Sequence, residues 1–260
     1  MARVMFTRAR EHLEQDIALY DPVRHHSHAF LYGQDPGVFC RVLAAWGLYL
    51  LGYPDQALRM NQEALAVAQE VVHPLSLAAA QAFFAVTHQV RREGHVAQEH
   101  AEAAVQLCSQ QGFPVFLVFG TIMIGWALAE QGQTEEGIAQ VRQGLAAYRA
   151  TGAELATTRF AVLLAETWGK AGQPEEGLNV LAEALAVVNK GRERDYEAEL
   201  YRLQGELLLQ QERQKAKSKK QKSPPPSTSH PAPKQRRRSV STKPSTSLGS
   251  NRPSRWSYER

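Results

Sequence analysis

Four times along this chain an apolar run with helical spacing closes on a glycine, and a second helical run starts a few residues later. The glycines are Gly52 in LLGYPDQAL, Gly94 in RREGHVAQE, Gly132 in AEQGQTEEG and Gly172 in GKAGQPEEG. They lie 42, 38 and 40 residues apart. A glycine suits the left-handed residue that closes one helix, and the polar or proline residues after it suit the start of the next. Each segment therefore reads as a helix-turn-helix unit. No long alternating β-branched run is present to argue for strands. Two helices per unit and a period near 40 predict an all-α chain, a right-handed α-solenoid of antiparallel helix pairs in which stacked neighbours share one core.

The register extends to single residues. Seven positions before the glycines come Ala45, Thr87, Gly125 and Ala165, all small enough to let helix backbones approach. Eight before come Ala44, Val86, Ile124 and Leu164, and four before come Leu48, Val90, Leu128 and Trp168, an apolar stripe at helical spacing. Twelve after, Ala64, Gly144 and Ala184 match, whereas the second unit places Gln106 there, about one turn out of step. Glu11 to Tyr20 reads as the second helix of an earlier unit, and Asp195 to Gln211 as the first helix of a later one. Two such unmated ends predict exposed apolar edges that favour self-association.

Composition divides the chain in two. Through Glu212, 16 Lys and Arg stand against 25 Asp and Glu; beyond it, 14 basic residues accompany the single Glu259. Residues 1–212 are thus expected to form the repeat domain and 213–260 a disordered tail rich in Lys, Arg, Pro and Ser, without apolar surface to offset ordering entropy. Its basic runs, KSKKQK and KQRRRS, suit weak, non-specific contact with nucleic acid or an anionic surface. The two cysteines, Cys40 and Cys108, sit in apolar helical stretches outside any CxxC pattern, which excludes a disulfide framework and suits a reducing, cytoplasmic setting. Phe113 to Ala129 is uncharged and nearly all apolar, at the lower edge of spanning length; its shared repeat register and the absence of flanking Lys or Arg favour a buried helix over a membrane span.

The small-residue register and glycine-closed pairs resemble tetratricopeptide (TPR) repeats, with a unit longer than the common one and similar to that of maltose-regulon-type transcription activators. LLGYPDQAL, GWALAEQGQTEEGI, GKAGQPEEGL, EAELYRLQGELLL and the Asp35-Pro36-Gly37 turn further resemble the C-terminal repeat region of bacterial proteins that join an adenylate or guanylate cyclase domain, or a winged-helix regulator, to a signalling ATPase. The resemblance covers roughly residues 9–211 and implies a sensory or interaction module. It brings no catalytic motif with it: the chain has no GxxxxGK[ST] loop and no recognisable paired cyclase carboxylates.

No cofactor is expected. Adjacent imidazoles in His25-His26-Ser27-His28 cannot all face one ion, so a solvated loop is favoured over a metal site. Glu135-Glu136 and Glu175-Glu176 lie in the first turns of second helices, where carboxylates complement the helix N-terminus without any substrate. The remaining candidate is a groove lined by first helices. Stepping back from the glycines places Trp46, Tyr49, Phe84, His88, Arg91, Arg92, Trp126, Glu130, Glu166 and Lys170 along it, a surface suited to a protein or peptide ligand. The alternative for Trp46 and Trp126 is the core, where large aromatics at helical spacing commonly reside. A small-ligand effector site among Trp46, His88 and Trp126 is the second functional reading.

Overall fold

In the computed structural model, residues 2–222 are described apart from 26, 154–155 and 191–193. Three helices, α1 (Ala2–Leu19), α2 (Pro22–His25) and α3 (His28–Tyr32), precede four antiparallel pairs. The pairs are α4 (Pro36–Leu50) with α5 (Pro54–Val71), α6 (Pro74–Val90) with α7 (Gly94–Gln111), α8 (Pro114–Glu130) with α9 (Thr134–Ala150), and α10 (Thr157–Lys170) with α11 (Pro174–Lys190). A long α12 (Glu197–Lys222) follows. From α4 to α11 each helix packs on the next in sequence, and first helices also touch first helices of neighbouring units, so the architecture is the expected all-α solenoid. Residues Met1–Lys220 form one unit, and Gln221–Arg260 group separately. Helix α12 continues ten residues beyond Glu212, past the change in composition.

Pair-to-pair boundaries follow from local chemistry. Pro36, Pro54, Pro74 and Pro114 occupy the first turns of their helices, where a missing N–H costs nothing. Asp35 is fully buried: its Oδ1 accepts from the Val38 amide at 2.9 Å, its Oδ2 accepts from the Tyr20 hydroxyl at 3.0 Å, and its own amide donates to Ser76 Oγ at 2.9 Å. The carboxylate thereby caps α4 and holds it to the segment after α1, and the Asp35 amide ties it to α6.

The repeat is more regular than the glycines indicate. The left-handed residues between paired helices are Gly52, Arg92, Gly132 and Gly172, which places them 40 residues apart throughout. In the second unit Arg92 takes φ 63°, and Gly94 is instead the first residue of α7, where a Cβ would lie 3.2 Å from Glu130 Cβ. That glycine serves a close approach to α8. The sequence-derived register of this unit therefore shifts by two: Ala85, not Thr87, is the small residue seven before, and Ala104, not Gln106, is the one twelve after. The apparent one-turn slip disappears.

With that register, the pairs cross at Ala45 and Ala57, Ala85 and Ala97, Gly125 and Gly137, and Ala165 and Gly177. Every alanine of this set is at most 1 % exposed. In the third pair a Cβ on Gly125 would stand 2.8 Å from Gly137 O, and one on Gly137 2.5 Å from Gly125 O. The backbones are in contact there. The largest core cluster surrounds α8: Phe119, Ile122, Met123 and Trp126 meet Val141 and Tyr148 of α9, Phe160 and Leu163 of α10, and alanines of α6 and α7. This accounts for the apolar stretch from Phe113, since a helix enclosed by neighbours on all sides is apolar all round. No helix among the described residues is long and apolar enough to cross a membrane.

Candidate functional site

The ten residues expected to line one groove separate into three groups. Phe84 and His88 are buried, at 7 % and 8 % exposure, and face inward to their own pair: Phe84 packs at 4.4 Å and His88 at 5.7 Å from the His100 ring of α7. The two-residue shift explains it. Relative to Arg92, His88 occupies the column of Leu48, Leu128 and Trp168, and Phe84 that of Ala44, Ile124 and Leu164, both on the stripe against the second helix. His88 Nδ1 meets Glu93 at 2.5 Å, and Arg91 bridges Glu93 and Asp55 at 3.0 Å each. Placing Phe84, His88 and Arg91 in the groove is therefore corrected. The residues in groove phase are Ala82, Val86 and Gln89.

The second group is an ionic network that spans units. Arg92 pairs with both Glu130 and Glu166, Lys170 pairs with Glu130 at 3.0 Å, and the Trp126 indole N–H donates to Glu166 Oε2 at 3.3 Å. Trp126 itself is fully buried, so it is a core residue with a polar tip reaching the network, and the core reading holds for it. The ion pairs also place a favourable charge around Arg92, whose left-handed backbone costs a non-glycine residue about 1–2 kcal/mol.

Trp46 and Tyr49 form the third group, and they meet partners from distant units. Trp46 stacks on Tyr196 with ring centroids 6.1 Å apart and planes 11° from parallel, and the Arg159 guanidinium lies 4.7 Å from the Trp46 ring centroid. Beside this contact opens a cleft of about 310 Å³ between the ends of α4 and α6, the middle of α10 and the start of α12. Tyr49, Gln89, Arg92, Arg159, Glu166 and Tyr196 are among its lining residues. Burial pushes the Tyr196 hydroxyl up to about 12 and raises that of Tyr49, which Arg159 partly opposes. Neither is an anion at neutral pH.

Three of the ten expected residues line this cleft, Tyr49, Arg92 and Glu166, and Trp46 stacks on the Tyr196 ring that lines it. Glu130 and Lys170 lie one step away through Arg92. Sequence reasoning missed Gln89, Arg159, Tyr196, Glu199 and Arg202. A signal for Arg159 exists in the corrected register: thirteen residues before the left-handed position the other units carry Phe39, Ala79 and Phe119. A cation stands alone in an apolar column.

Among the described residues no group of three or more His, Cys, Asp or Glu is placed to hold a metal ion. His25 and His28 stack on each other at 4.9 Å, and His26 lies outside the described residues. Burial raises the Cys108 thiol to about 11 and also raises Cys40, so neither is activated as a nucleophile. The tail beyond 222, to which nucleic-acid or surface binding was attached, also lies outside the described residues.

No protein-family model and no curated protein matches the chain by sequence. Its fold does match solved structures. The apo form of RapI aligns over 65% of this chain and 62% of its own, with a TM-score of 0.52 and 13% identity. Aspartyl phosphate phosphatase F from Bacillus subtilis aligns over 66% of this chain and 45% of its own, with a TM-score of 0.50 and 15% identity. A Podosopora anserina kinesin light chain with TPR-like repeats aligns over 71% and 88%, at TM-score 0.45 and 18% identity. The fold is a TPR-like helical repeat. The chain spans less than two thirds of the length of RapI and of the phosphatase.

Proposed function

We propose that this chain is a non-catalytic scaffold that binds a protein or peptide segment through the cleft between α4, α6, α10 and α12. One observation carries the reading: residues from four different helical layers converge on an open cleft whose walls are apolar at Leu50, Val90, Val162 and Leu163 and whose rim is charged at Arg92, Glu166, Glu199 and Arg202. An apolar floor gives affinity, and a rim of both signs fixes the register of a bound chain. Because the lining comes from non-adjacent units, an occupant also bears on how the units are stacked. The stretches that resemble cyclase-linked signalling ATPases support placing the chain among the sensory or interaction regions of such proteins, in the cytoplasm.

Selection of a random displayed peptide library against the full chain tests this. Enriched peptides should bind the Tyr49→Ser variant at least about tenfold more weakly, as befits loss of one aromatic anchor. Binding to Arg142→Ala, altered on the exposed side of α9, should be unchanged. Equal binding to wild type and Tyr49→Ser, or no enrichment at all, would remove the cleft as the site.

A further inference from the structure

The cleft contains a buried arginine with no ion-pair partner among the described residues. Arg159 is 3 % exposed; its Nη2 donates to the Gln89 side-chain oxygen at 2.9 Å, and its Nε is buried without a hydrogen-bond partner. Its guanidinium carbon lies 4.7 Å from the Trp46 ring centroid and 6.0 Å from that of Tyr196. Among the described residues no carboxylate pairs with it. The other two arginines of the cleft are matched, Arg92 by Glu130 and Glu166 and Arg202 by Glu199 and Glu206. Taking a cation out of water without an anion is costly, and ring contacts and one neutral amide bond offset only part of that cost. The solenoid does not require that cost, because Phe39, Ala79 and Phe119 fill the equivalent place in the other units.

We infer that Arg159 is the receptor for a carboxylate carried on an apolar body, held in the cleft between the Tyr49 and Tyr196 rings and the wall formed by Val90, Val162 and Leu163. The inference rests on the cleft being the binding site and adds the chemistry of what enters it. Charge sets the valence. Arg92 and Arg202 are already held by carboxylates, which leaves Arg159 as the guanidinium of the lining without an ion pair among the described residues, and Glu166, Asp195 and Glu199 in the same lining disfavour a phosphate dianion. Volume sets the size: about 310 Å³ is at the lower end of small-molecule pockets, room for one compact acid or one terminal residue of a peptide.

Two sources supply such a group, a free organic acid and the C-terminus of a peptide, and the experiment has an arm for each. Calorimetric titration of the full chain compares hexanoate and phenylbutyrate with their primary amides, and a short peptide ending in leucine with its C-terminal amide. At least one acid or the free-carboxylate peptide should bind roughly 10- to 100-fold more tightly than its amide, the scale of a hydrogen bond to a charged group. That preference should vanish in Arg159→Met and persist in part in Arg159→Lys. The wild-type acid-to-amide comparison needs no variant, so it decides the matter even where Arg159→Met does not fold. Equal binding of acids and amides, absence of binding by every acid, or an acid preference that survives Arg159→Met in folded protein each overturns the inference. Library-selected peptides that use Tyr49 but show no preference for a free carboxylate would leave the cleft standing and remove the carboxylate. Arg159-dependent capture of the small acids with no peptide bound would keep the carboxylate site in the cleft and remove the peptide-binding reading.

Discussion

The third helix pair and the last helix read the same register and live in opposite environments. At Gly125 the small-residue column is wedged against the backbone of Gly137, with Trp126 beside it fully buried. Eighty residues on, Gly205 occupies the same column of α12; a Cβ there meets nothing within 4 Å, and Tyr201, Leu208 and Leu209 around it are exposed. A sequence column in a solenoid thus states where a neighbour would approach, and the neighbour decides its energetic meaning. In α8 a partner covers both sides of the column. In α12 only the side toward α10 and α11, marked by Leu200, Leu203 and Leu207, is buried.

The largest effect that sharpens this contrast is at the tryptophan. Trp126→Ala should cost about 3–5 kcal/mol in denaturant unfolding, because it opens a cavity in the main core cluster, whereas Leu208→Ala on α12 should stay within about 0.5 kcal/mol. Next comes the backbone contact itself. Gly137→Val should destabilise by about 3 kcal/mol through overpacking against Gly125 O, while Gly205→Val should change stability by less than about 1 kcal/mol. Similar losses at the two glycines would break the comparison by showing that α12 is covered.

A smaller, pH-dependent effect belongs to the buried second pair. Burial, and then the neighbouring His88, lower the His100 pKa below its usual 6.5, so the fold favours the neutral ring. The unfolded chain binds the proton more readily, and stability should fall as pH drops through 6.5 toward the depressed folded value. His100→Gln should flatten that part of a melting-temperature profile, and an unchanged profile would count against desolvation of the half-buried ring. Smallest of all, Gly205→Ala should raise stability by up to about 1 kcal/mol from helix propensity alone, read as a small upward shift in melting temperature.

Much of the fold was legible because its signals are local. Helix starts at Pro54, Pro114 and Pro174, left-handed stops at Gly52, Gly132 and Gly172, and the alanine and glycine columns all follow from backbone preferences within a few residues. The candidate site was less legible. A glycine is the usual mark of a left-handed stop, but in the second unit that conformation falls on Arg92, and Gly94 answers to the approach of Glu130 from the next unit. Two positions of error rotate a helix by more than half a turn, which is why His88 and Phe84 were expected in a groove and are found against α7.

What the amino-acid order determined alone was a ladder of paired helices with a period near 40 residues. What required the tertiary structure was the meeting of Trp46, Arg159 and Tyr196, which stand 113 and 37 residues apart in sequence. Local propensity fixes each helix, but the rotation from unit to unit accumulates along the stack, and only that sum brings α4 opposite α10 and α12 and buries a guanidinium that has no ion pair among the described residues.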